Sequence, residues 1–156
     1  MREQCVGRSM ATAALLAAIL LGAAACAGDR GRADAVDASA RELAALRLAT
    51  TVALPAALPP GLESIQPATG DGLPLVSFYS TNEPLVTVCT GRPDRCATLT
   101  TPRAILRRVR AGPATVLVTI DRSEAPEDAP PLSAPLRRFW SKVDLTTSAP
   151  AWLAAG

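Results

Sequence analysis

The chain contains no histidine. That absence removes Ser-His-Asp and Cys-His catalysis, histidine-ligated zinc and a histidine pH switch. Cysteine is scarce, at four in 156 residues: Cys5, Cys26, Cys89 and Cys96. Without histidine, Cys89 and Cys96 lack the further ligands a tetrahedral metal site needs. Aromatic residues make up only 3% of the chain, and Lys142 is its single lysine. A formal net charge of +2 gives no global field to recruit nucleic acid. No cofactor is implied, and no catalytic constellation stands out.

Apolar residues are present at 49%, but many are alanine. Burial stabilises by roughly 25 cal/mol per Å² of apolar area, so an alanine-rich core yields little. A domain of this composition calls for a covalent clip or a partner. The densest apolar run is Ala11 to Cys26. A short start carrying Arg2, Glu3 and Arg8 precedes it, and no charge follows from Ser9 to Gly28. This is the pattern of an export signal, with a positive n-region and an apolar centre from Leu15 to Leu21.

The end of that run resembles the lipobox of bacterial lipoproteins. Ala24 and Ala25 fit the small positions before the cysteine, while Ala23 stands where leucine is preferred. The resemblance implies cleavage before Cys26 and lipidation of its thiol. The protein would then be held at the extracytoplasmic face of the cell membrane. Two other outcomes fit the same residues. Ala23-x-Ala25 or Ala25-x-Ala27 is an ordinary secretory cleavage pattern. An uncut Ser9–Gly28 segment is long enough to be a single-pass anchor, since roughly 20 apolar residues span a bilayer. Cysteine parity does not choose, because either cleavage leaves Cys89 and Cys96 as a pair.

The chain divides, on this reading, into a signal peptide (1–25), a tether with a short helix and a proline-rich linker (26–60), and an extracytoplasmic domain (61–156). Ser39 and Glu42 match a capping box, which predicts a helix over about 40–49. Its leucines form no clean stripe, which suggests a lightly packed spacer. Leu54 to Gly61 holds Pro55, Pro59 and Pro60 and reads as a break.

Within the domain, Leu73–Tyr79 and Leu85–Cys89 flank the turn formers Ser80 to Pro84 and predict a hairpin. Gly91, Pro93 and Asp94 specify a reversal that brings Cys89 to Cys96, and export makes a structural disulfide the expected state. Thr98–Thr101 reads as a short returning strand. Pro102 to Ala111 carries both helical punctuation and strand character, and stays open between the two. Ala114–Asp121 alternates Val116, Val118 and Ile120 with Leu117, Thr119 and Asp121, a strand. Arg122–Pro131 is a proline-stiffened acidic loop whose carboxylate spacing matches no calcium loop. Beyond it, Ser133 caps a helix in which Leu136, Phe139, Trp140 and Val143 share one face. The fold class expected is α+β: a small antiparallel sheet, one hairpin disulfide and a C-terminal amphipathic helix.

Arg103, Arg107, Arg108 and Arg110 close a basic run that begins with Arg92 and Arg95. They form a candidate anion-contact surface, since guanidinium forks suit phosphate. The alternative is a solvated face balanced by the acidic loop. The function expected is a non-catalytic binding or accessory module of the cell envelope, membrane-bound through its lipid. Its partner would be an envelope protein or an anionic polymer, not nucleic acid. The competing readings are an envelope glycan enzyme using two carboxylates and a single-pass sensor or regulator.

Overall fold

The computed structural model describes residues 33–100, 102–121 and 131–154. The leader, Cys5, Cys26 and most of the tether lie outside these residues, as do the acidic loop over 122–130 and its calcium reading. In chain order the elements are helix α1 (33–49), strands β1 (Leu54–Pro55), β2 (Leu62–Gly70), β3 (Leu73–Ser80) and β4 (Val86–Thr90), and helix α2 (Pro93–Thr100). Strands β5 (Pro102–Ala111) and β6 (Ala114–Asp121), helix α3 (Ala134–Lys142), strand β7 (Leu145–Thr146) and helix α4 (Ala151–Ala154) follow. The fold is α+β, as expected. A five-stranded antiparallel sheet runs in the order β2-β3-β4-β6-β5. Among the described residues no helix is long and apolar enough to cross a membrane.

The β3–β4 hairpin forms where the alternating runs and the turn residues predict it. Ahead of it lies β2, a strand the sequence reading passed over. Gly70-Asp71-Gly72 marks the β2–β3 connection, with Asp71 at φ 48° and Gly72 at φ 76°. Two consecutive left-handed residues make the hairpin turn that suits strand twist, and Asp-Gly is a favoured pair for it. Segment 102–111 resolves as a strand: β5 pairs with β6 along its length, with register irregularities near Pro102–Ala104 and Ile105–Arg107.

Thr98–Thr101 was expected as a strand, but residues 93–100 are helical. Local bonds decide it. The Cys96 N–H reaches the Arg92 carbonyl at 2.9 Å, and the Thr98 and Thr100 hydroxyls donate back to Asp94 and Cys96 carbonyls at 3.1 and 3.0 Å. The hydroxyl bonds only satisfy the threonines within the helix; the backbone turn closed at Cys96 and the tie to Cys89 hold it there, and threonine's strand preference is a weak prior beside them.

The first helix corrects a second expectation. It already runs from residue 33, so Ser39 is mid-helix rather than an N-cap. Its hydroxyl lies 2.9 Å from the Ala35 carbonyl and 2.6 Å from that of Ile65 in β2. Started at 33, the helix has the stripe that the shorter version lacked: Ala35, Val36, Ser39 and Leu43 are buried, with Leu46 packed at the margin. It is a core helix, not a light spacer.

The proline-rich stretch after α1 is likewise part of the packed unit. Val52, Ala53 and Leu54 are buried, and β1 pairs with β7 through Leu54–Thr146 and Pro55–Leu145. The Ala53 N–H donates to the Thr90 hydroxyl at 2.9 Å, and the Trp152 indole N–H donates to the Pro55 carbonyl at 2.8 Å. The packed unit therefore begins well before residue 61, where the sequence reading starts its domain.

The two faces of the sheet are covered differently. On the first, α1 and α3 close over Val76, Phe78, Val86, Val88, Val116 and Val118, with Trp140 only 1% exposed. Trp140 meets Phe78 and Phe139 edge-on at ring distances of 5.3 and 5.2 Å, a favourable arrangement of ring quadrupoles. Ser133 holds the N-cap position of α3 as predicted, yet its hydroxyl makes no capping bond. Its backbone N–H donates to the Glu83 carboxylate at 2.9 Å instead. On the second face, α2 covers a small cluster of Cys89, Cys96 and Leu117.

Candidate functional site

The sequence nominated three sets of residues: Cys26, the pair Cys89 and Cys96, and the arginines of β5. Cys26 lies outside the described residues. Cys89 and Cys96 are joined, with Cα atoms 5.8 Å apart. The bond ties the end of β4 to the first turns of α2. Gly91 between them sits at φ 155°, and a Cβ there would come within 2.8 Å of the Leu73 side chain. The reversal therefore needs a residue without a side chain at this point. Both sulfurs are buried, which fits a structural tie rather than a thiol pair open to attack.

The four β5 arginines do not form one surface. Arg107 points to the α3 side of the sheet. Its guanidinium donates to the Val143 carbonyl at 2.6 Å and, more weakly, to that of Trp140 at 3.4 Å. These carbonyls end α3 and have no partner within the helix, so a cation there satisfies them and complements the helix dipole. Arg107 is thus a helix-capping residue, drawn away from the predicted anion surface. Arg108 and Arg110, opposite Leu117 and Thr115, are exposed on the other face and have no side-chain partner among the described residues. Arg103 lies within β5. The two arginines that precede β5 in the run are also engaged. Arg92 pairs with Asp94 at 2.8 Å, which holds the Asp94 carboxyl below its ordinary range, and Arg95 donates to the Asp71 carbonyl at 2.9 Å.

The structure adds a polar row that the sequence reading did not single out. Ser77, Thr87 and Thr119 stand in register across β3, β4 and β6 on the α2 side of the sheet. The Thr87 hydroxyl donates to Asp121 Oδ2 at 2.7 Å, and the Thr119 hydroxyl donates to Oδ1 at 3.1 Å. With its proton committed to the carboxylate, Thr87 accepts from Ser77 at 2.8 Å. Thr87 and Thr119 are 2% and 0% exposed and Asp121 is buried, while Ser77 at the β3 end of the row is only partly buried. The chemistry of the row is that of satisfied buried polar groups. The strand alternation had placed Thr119 and Asp121 on one face, but the facing Thr87 is set by register.

A two-carboxylate mechanism needs a cleft that brings both groups to one substrate bond. Of four depressions among the described residues, those of about 490, 380 and 310 Å³ have no carboxylate in their described lining, and a fourth, of about 380 Å³ between α1 and β2, has a single one, Glu42. Asp121 is buried in its hydroxyl network, and Glu83 holds the start of α3. Among the described residues no cluster of three or more cysteine or acidic side chains could hold a metal ion. Compared with known proteins, the chain matches no family model, no curated sequence and no solved structure.

Proposed function

We propose that this chain is an exported lipoprotein, anchored by lipid at Cys26, whose domain serves the cell envelope as a non-catalytic binding or accessory module. The reading rests first on the leader, with its apolar centre and its small residues before Cys26. The Cys89–Cys96 disulfide supports it, because such bonds persist in oxidising compartments and are rare in the cytosol. The non-catalytic part draws on the use already made of the polar side chains. Asp121, Glu83 and Arg107, the groups best placed by burial or contact to act chemically, are each engaged in holding elements together.

Mass spectrometry of the processed N-terminus tests the anchor. The expected product starts at Cys26 and carries the mass of an attached diacylglycerol. A Cys26→Ser chain should lose that mass and remain unprocessed or leave the membrane fraction. A mature start at Gly28, or an intact Met1, would overturn the lipoprotein reading.

A further inference from the structure

Among the described residues, basic side chains gather on two neighbouring elements, β5 and α3, with one exposed acid, Asp144, just past the helix. The sequences of β5 and α3 contain seven of the sixteen basic residues and none of the fourteen acidic ones. The two elements lie 22 residues apart in sequence, yet they pack together, with Arg107 of β5 bonded to the end of α3. β5 is an outer strand of the sheet. From this edge, Arg108 and Arg110 project on one side, while Arg137, Arg138 and Lys142 stand exposed on the helix at the other. Among the described residues, Arg108, Arg110, Arg138 and Lys142 have no side-chain hydrogen-bond or ion-pair partner. Arg137 gives one donor to the Leu132 carbonyl at 2.8 Å. The acids of α1, Asp34, Asp37 and Glu42, lie across the sheet on the β2 side.

We propose that this β5–α3 flank docks on an anionic phospholipid surface. The inference rests on the lipid-anchor reading above and gives that anchor an orientation. From Cys26 to residue 33 the chain reaches no further than about 25 Å at full stretch. Five strands at the usual spacing put β5 about 19 Å from β2. Both α1, where the tether enters, and α3 lie on the same face of the sheet. A membrane holding Cys26 is therefore within reach of the flank. Basic residues are drawn toward an anionic leaflet and acidic ones repelled from it, so the flank faces the membrane and the acids of α1 tilt away from it. An anionic polymer or an acidic protein would meet the same charges, but the short tether favours the surface already beside the domain.

Arginine footprinting of the full chain tests this. The chain is reconstituted in vesicles of phosphatidylcholine alone or with phosphatidylglycerol, treated with phenylglyoxal, and mapped by mass spectrometry. Modification of Arg108, Arg110 and Arg138 should slow severalfold in the anionic vesicles. It should recover at about 1 M salt, where the Debye length falls to about 3 Å. Arg41, exposed on α1, is the internal control and should not change. Replacing Arg138→Glu with Lys142→Glu, at exposed positions where folding is not at risk, should abolish protection of Arg108 and Arg110 as well. Equal rates in the two vesicles, protection in phosphatidylcholine alone, or protection that survives the double replacement would overturn the proposal. The N-terminal mass from the same digests shows separately whether the lipid anchor is present, so failure of the flank and failure of the anchor are distinguishable.

Discussion

The two faces of the five-stranded sheet are held by different means. The first face carries Val76, Phe78, Val86, Val88, Val116 and Val118 and is closed by α1 and α3, with Trp140 at the centre. The second carries Cys89, Leu117, Ser77, Thr87 and Thr119 and is closed over part of its length by the eight-residue α2. Most of the large apolar side chains of this alanine-rich chain went to one side. The other side uses a covalent tie and a hydroxyl–carboxylate network in their place. A chain poor in aromatics can cover both faces of a sheet if it divides its means in this way.

The contrast yields three measurements, each by chemical denaturation of the folded chain. Trp140→Ala removes the largest side chain of the first face. It should cost about 3–5 kcal/mol, through lost burial and a residual cavity. A smaller loss than that of the disulfide would show that the first face is not the dominant core. The double replacement Cys89→Ser with Cys96→Ser should cost about 2.5 kcal/mol, the loop-closure value for so short a ring. Reductant should lower the unfolding free energy of the native chain by the same amount and leave the double variant unmoved. Thr87→Val keeps the shape of β4 but leaves Asp121 and Ser77 each short of a bond, at a cost of about 1–2 kcal/mol. If this last change were neutral, the polar row would be incidental to the second face.

What could be read from residues alone follows the same division. Helix α3 was legible because Leu136, Phe139 and Trp140 recur at helical spacing within one turn of each other. The β3–β4 hairpin and the Cys89–Cys96 tie were legible because turn residues sit between two short, patterned runs. Helix α1 was started too late because Ser39 and Glu42 match a cap in sequence. Whether Ser39 ends a helix or sits inside one depends on Ala35 and Val36, which have a core to enter only once β2 is in place. β2 itself was missed although Gly70-Asp71-Gly72 announces a hairpin, since Pro67 and the polar Glu63, Ser64 and Gln66 mute its alternation. Of the four candidate arginines, Arg108 and Arg110 are exposed and Arg107 is engaged with α3. The α3 cations Arg137, Arg138 and Lys142 were not part of that candidate surface, because nothing local joins them to β5.

The sequence by itself determined the local features. These are the apolar leader on which the proposed location rests, the amphipathic helix α3, the hairpin, and the short ring that lets Cys89 meet Cys96. Each depends on residues within a few positions of one another, where spacing and backbone preference suffice. Only the tertiary structure decided that residues 50–60 belong to the packed unit and that segment 102–111 is a strand. It also decided that Arg107 caps a helix while Arg108 and Arg110 stay exposed, and that β5 and α3 pack together. Those outcomes come from partners distant in sequence: Thr146 for Leu54, Thr119 for Ile105, Val143 for Arg107. A backbone donor or a guanidinium takes whichever acceptor the packed core brings within reach, and the local sequence carries no record of that choice.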